Sequence, residues 1–101
     1  MQQELYNYLV ADKKESTISK QIIRSGTSIG ANINEGIYWQ SKKDFIAKLS
    51  IALKETAETE YWIKLLKLSE YLNEDETNSL ISDCLEIKRI LIASIKTAKG
   101  D

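Results

Sequence analysis

The side chains able to do chemistry in this chain are few. Glu55, Glu58 and Glu60 place three carboxylates within six residues, a density from which helical bundles build di-metal centres. Those centres also draw on Glu-x-x-His pairs, and the chain contains no histidine. On a helix the three glutamates spread around the axis instead of converging, so neither a metal nor a cofactor is expected. Without imidazole the commonest general base is also missing. The only cysteine, Cys84, falls on an apolar helical stripe and reads as a small core residue, not a reactive thiol. No nucleophile–base pair or phosphate loop can be assembled, so the residues point away from an enzyme.

Two polar groupings remain. Arg24, Ser28, Asn32 and Glu35, extended by Gln21, form one strip at helical spacing; Arg24–Ser28 and Ser28–Asn32 are i,i+4 pairs whose side chains can meet. One reading is a strip that recognises a ligand or partner. The other is a part-buried network that fixes helix register, since a misaligned buried polar group costs about 1–3 kcal/mol. The second is preferred, with Arg24 expected to pair with Glu35 or Glu58. Lys13, Lys14, Lys20, Lys42, Lys43 and Lys48, with Tyr38 and Trp39 among them, offer a candidate nucleic-acid face working by charge and stacking. The alternative is a solvated face with an aromatic pair closing the end of the fold.

The elements that must position these residues are helices. The chain has no proline and only four glycines, and its apolar residues follow helical spacing nearly throughout. Residues 2–11 predict a short first helix carrying Leu5, Tyr6, Leu9 and Val10. Ser16 can cap a second helix, which runs to about Ile37 with Ile18, Ile22, Ile29 and Ile33 as its stripe. Ser41 opens a third, to about Glu70, with Asp44 three residues on. Asn73 caps a fourth with Glu76 at the third position, and Gly100 stops it. The fold class expected is all-α, an antiparallel up-and-down four-helix bundle forming a single domain over 1–101, with a short, truncated first helix. Ten residues reach only about 15 Å, which leaves part of an apolar groove to a second subunit, a partner or further residues. The third helix is apolar on two sides: Phe45, Leu49, Ala52, Leu53 and Ile63 on one, and Ala47, Ile51, Trp62 and Leu65 nearly opposite. The second facet reads as an oligomer interface, or as a face round which a neighbouring helix wraps further.

Composition bounds the rest. With 101 residues, 43% hydrophobic and 29% charged, the chain has a globular balance. Net charge is −1, but residues 1–54 hold eight Lys/Arg against five Asp/Glu, and residues 55–101 six against ten. No signal peptide and no membrane span is expected, and one cysteine suits a reducing cytoplasm.

The run Arg24-Ser25-Gly26-Thr27-Ser28-Ile29-Gly30-Ala31-Asn32-Ile33-Asn34-Glu35-Gly36, continued by Ser41-Lys42-Lys43-Asp44-Phe45 and by Ala52 through Trp62, resembles the 23S rRNA-intervening-sequence family of four-helix-bundle proteins. The resemblance covers roughly residues 14–98. It implies an up-and-down bundle that assembles as a ring-like homopentamer. A relative, the accessory variability determinant of diversity-generating retroelements, binds a reverse transcriptase and nucleic acid. Relatives carry more residues before the position of Leu5, and the nucleic-acid-binding ones are basic, whereas this chain is slightly acidic. The function expected is therefore a non-enzymatic homo-oligomeric scaffold or adaptor with a protein partner. The alternative is an accessory protein that binds RNA, or a reverse transcriptase partner and its nucleic acid.

Overall fold

The computed structural model of the chain describes residues 16–38 and 41–100. They form three helices and no strand: α1 (Ser16–Ile37), α2 (Lys42–Leu68) and α3 (Glu74–Lys99). The architecture is all-α. The fourth element of the expected bundle, the helix at 2–11, lies outside the described residues, as do Lys13, Lys14 and Trp39.

Each boundary has a local cause. At the start of α2 the Ser41 side chain accepts from the Asp44 backbone N–H while its hydroxyl donates to the Asp44 carboxylate. At the start of α3, Asn73 and Glu76 form a reciprocal capping box, which satisfies two of the free N–H groups of a helix start. Gly100, at φ 83°, ends α3 in the left-handed region that glycine enters freely. Between α2 and α3 that position falls to Glu70, at φ 65°. There the Tyr71 N–H reaches back to the Leu66 carbonyl at 3.0 Å.

The helices run antiparallel in sequence order. α1 and α3 each pack along α2, and their backbones make no close approach to each other. This explains why the apolar residues of α2 spread round its circumference: it has a neighbour on two sides. Two clusters follow. One joins Ile22 of α1 with Ile63 and Leu66 of α2 and Leu72, Leu80 and Cys84. The other joins Ile29 with Leu49 and Ala52 and with Leu91 and Ile95. The described residues form an elongated body, 45 × 21 × 16 Å with a radius of gyration of 14.9 Å, against roughly 13 Å for a compact domain of about this length. Among the described residues, no helix is long and apolar enough to cross a membrane.

Candidate functional site

The polar strip of α1 lies along its seam with α2, and it divides into parts. Arg24 donates from Nε to Gln21 Oε1 at 3.1 Å and from its terminal nitrogens to Glu55 at 3.2 Å and Glu58 at 3.5 Å. Its side chain is half exposed. Two carboxylates close on one guanidinium satisfy it electrostatically, which makes this an intramolecular latch more than an anion receptor. Asn32 turns along its own helix to the Ser28 carbonyl and hydroxyl. Glu35 does not join Arg24: it takes Lys48 Nζ at 2.8 Å.

Beneath the latch the seam is tight. Ser25 and Thr59 are buried and share a 2.7 Å hydroxyl contact. At Gly36 an added Cβ would come within 3.4 Å of Lys48 Cβ, so the end of α1 rests directly on α2. Together these contacts set the register of α1 on α2.

The α2–α3 seam carries a pair that the sequence did not mark out. Glu60 Oε1 is closed to solvent, and Lys88 Nζ stands 3.1 Å from it without hydrogen-bond alignment. Cys84 lies in the same region, buried. Burial, and then the carboxylates of Glu60 and Asp83, push its thiol up from 9.0 to about 11, against a small opposite pull from Lys88. A thiol so held is protonated and a poor nucleophile at neutral pH. Among the described residues no group of three His, Cys, Asp or Glu side chains is placed to hold a metal ion.

The second apolar facet of α2 is split. Trp62 packs onto the first core cluster beside Ile18 and meets Tyr61 edge-on at 5.0 Å. That part of the facet is therefore half-buried at the edge of the core. Leu65 is half-buried, whereas Ala47 is exposed and Ile51 is 43% exposed.

The lysines are not gathered on one face. Lys20 lies near the start of α1, and Lys42 and Lys43 at the start of α2, which antiparallel packing puts at the opposite end of the molecule. Lys48 is engaged by Glu35. What gathers instead is an axial separation of charge. Lys96 and Lys99 end α3 at the end of the molecule where Lys42 and Lys43 open α2, while Glu70, Glu74, Asp75 and Glu76 crowd the α2–α3 turn at the far end. The signal was present in the sequence, in the acidic first turn and basic last turn of α3. It becomes spatial only once α3 is laid antiparallel to α2. Tyr38, 78% exposed, stands at the basic end.

The family described as 23S rRNA-intervening sequence protein matches residues 1–93. A solved structure from Bacteroides thetaiotaomicron, described as a protein with unknown function from the S23 ribosomal protein family, is 53% identical. It superposes with a TM-score of 0.89, covering 94% of this chain and 88% of that chain. No curated protein matches.

Proposed function

Because the chain belongs to the 23S rRNA-intervening sequence protein family, we propose that it is a cytoplasmic, non-enzymatic scaffold that works as a homo-oligomer and docks a protein partner. The observation that carries this reading is that the described residues supply only three sides of a helical bundle. Among the described residues α1 and α3 flank α2 without close backbone approach to each other, which suits two diagonal helices of a square bundle whose fourth corner they do not fill. Residues 2–11, with Leu5, Tyr6, Leu9 and Val10 at helical spacing, are the segment we place in that corner, giving a four-helix bundle with a short first helix. Ile51 and Ala47 on the outer face of α2, with half-buried Leu65 further along it, supply the surface between copies, and a ring-like pentamer is the form expected from the family resemblance.

Native mass measurement at micromolar concentration tests the reading. A pentamer, or another closed oligomer that Ile51→Glu reduces to monomer, supports it. A wild-type chain that is monomeric throughout sinks it.

One observation supports a second reading. The basic end joins Lys42, Lys43, Lys96 and Lys99 with an exposed Tyr38, a combination suited to a single nucleic-acid strand. The name of the family ties it to 23S rRNA. A gel shift with single-stranded RNA that weakens steeply with salt would support this reading; no shift at low salt ends it.

A further inference from the structure

Away from its buried stripe, α3 carries an apolar face of another kind. Leu85 is 53% exposed and Ile92 42%, and their i,i+7 spacing sets them on one side of the helix. With Lys88, Arg89, Ala93 and Lys96 they line an open cavity of about 480 Å³. That lining holds three cations and no carboxylate. Lys88 stands against Glu60, and Arg89 pairs with Glu86 on its own helix. Lys96 forms no ion pair among the described residues. Laid against its own image in a second copy, this face would set cations against cations. It calls for a surface that is both apolar and acidic.

The end of α2 is such a surface. Tyr61, Leu65 and Leu68 follow i,i+4,i+7 spacing along the helix. Tyr61 is exposed, Leu65 half-buried and Leu68 81% exposed. Beyond them Glu70, Glu74, Asp75 and Glu76 are all exposed. Residues 61–76 hold four carboxylates against two lysines, and residues 85–99 four cations against one carboxylate. Within one chain these charges stand apart: Glu74 and Lys96 are 22 residues from each other on α3, roughly 33 Å along its axis. Between copies they can meet.

We infer that the face of α3 around Leu85, Ile92 and Lys96 is a docking site for a second copy of this chain, which seats there the acidic end of its α2, Tyr61, Leu65 and Leu68 with Glu70 and Asp75. The inference rests on the homo-oligomeric scaffold and names the two faces that meet in it. Leu65 belongs to the surface between copies proposed above, so the contact extends that surface along α2 and supplies its counterpart on α3. The apolar side chains of α2 pack on Leu85 and Ile92, and the carboxylates of the turn meet Arg89 and Lys96 at the rim. Because the two faces differ, each copy offers one and accepts the other, the head-to-tail arrangement from which rings close.

The test uses the full chain, with sedimentation equilibrium reading self-association and native mass reading composition. Two charge-reversed variants are compared: Arg89→Glu with Lys96→Glu on the α3 face, and Glu70→Lys with Asp75→Lys at the end of α2. All four positions are exposed, and helical circular dichroism checks that each variant folds as wild type does. Each variant alone is expected to self-associate at least about tenfold more weakly than wild type at low salt, and wild-type assembly to weaken as salt rises. Mixed in equal amounts, the two are expected to assemble again with both masses in one particle, since the lysines of one then face the glutamates of the other. A mixture that stays monomeric overturns the inference. Variants that each assemble as wild type overturn it too, placing the contact between copies elsewhere and leaving the scaffold standing. Single-stranded oligouridylate, or a synthetic helix of leucine and glutamate, that binds wild type and is lost from an intact Arg89→Glu, Lys96→Glu oligomer assigns the face to nucleic acid or to a foreign protein, and likewise overturns it. A wild-type chain that is monomeric throughout sinks the scaffold and this contact together, so the two failures are told apart.

Discussion

The hydroxyls of Ser25 and Thr59 lie 2.7 Å apart between α1 and α2, each in a residue almost wholly closed to solvent. Thr59 also donates to the Glu55 carbonyl within its own helix at 2.9 Å, which leaves Ser25 as donor to Thr59. Ser25 has a second outlet, the Ile22 carbonyl at 3.3 Å. Thr59→Val therefore costs only roughly 1 kcal/mol, because Ser25 is not orphaned. Ser25→Val, which forces a branched side chain into a seam without room, costs about 1–3 kcal/mol. Urea denaturation reads both; equal losses would show that the hydroxyl pair, not the close approach, sets the seam.

Glu60 and Lys88 call for the opposite treatment. The Glu60 side chain is 12% exposed and that of Lys88 30%, so removing the cation strands a carboxylate that water barely reaches. Lys88→Met is predicted to destabilise by roughly 1–3 kcal/mol, and the double change Glu60→Leu with Lys88→Met to recover most of it. If Lys88→Met denatures at the wild-type midpoint, the pair contributes nothing.

Cys84 gives the chain an alkaline signature. Its thiol is raised from 9.0 to about 11 in the folded state, so between those values the unfolded chain releases a proton that the folded chain keeps. Stability from this group is full below pH 9 and falls as the pH rises toward 11. Cys84→Ala should shallow the alkaline loss measured by denaturation at pH 8, 9 and 10, beyond its pH-independent cavity cost. Parallel profiles for the two proteins would refute the assignment.

Glu70 occupies a backbone conformation that suits glycine, at φ 65°. A side chain held there costs about 1–2 kcal/mol, offset in part by the added freedom glycine brings to the unfolded chain. Glu70→Gly is predicted to raise stability by up to about 1 kcal/mol, and Gly100→Ala, at φ 83°, to lower it by a similar amount through fraying of the last turn of α3. A lower thermal midpoint for Glu70→Gly would count against this account of the turn.

The helices were legible because local chemistry announces them. Ser41 with Asp44, and Asn73 with Glu76, fixed two starts, and Gly100 fixed one stop. Ile22 and Ile29 carry the buried stripe of α1, as their spacing requires. The site was less legible because it depends on what lies across a seam. Spacing along α1 joined Glu35 to the strip of Arg24, but α2 brings Lys48 to Glu35 and Glu55 to Arg24. Nothing in the local pattern distinguishes Trp62, drawn onto the core, from Ile51, left half in solvent. Periodicity places both on one facet, and only tertiary packing divides them. Glu60 reads as one glutamate among three until Lys88 arrives from a helix 28 residues later.

The central place of α2 also has a consequence in time. Among the described residues, every close backbone approach between helices is between sequence neighbours, α1 with α2 and α2 with α3, so no long loop must close before packing is rewarded. During synthesis α1 and α2 emerge first. They can close as a hairpin, with Ser25 meeting Thr59 and Arg24 meeting Glu55, before α3 leaves the ribosome. The nascent hairpin then waits with Leu49, Ala52 and Ile63 bare, and α3 arrives last to cover them. The interval between those two events, more than any step after release, is when this chain is most open to the wrong partner.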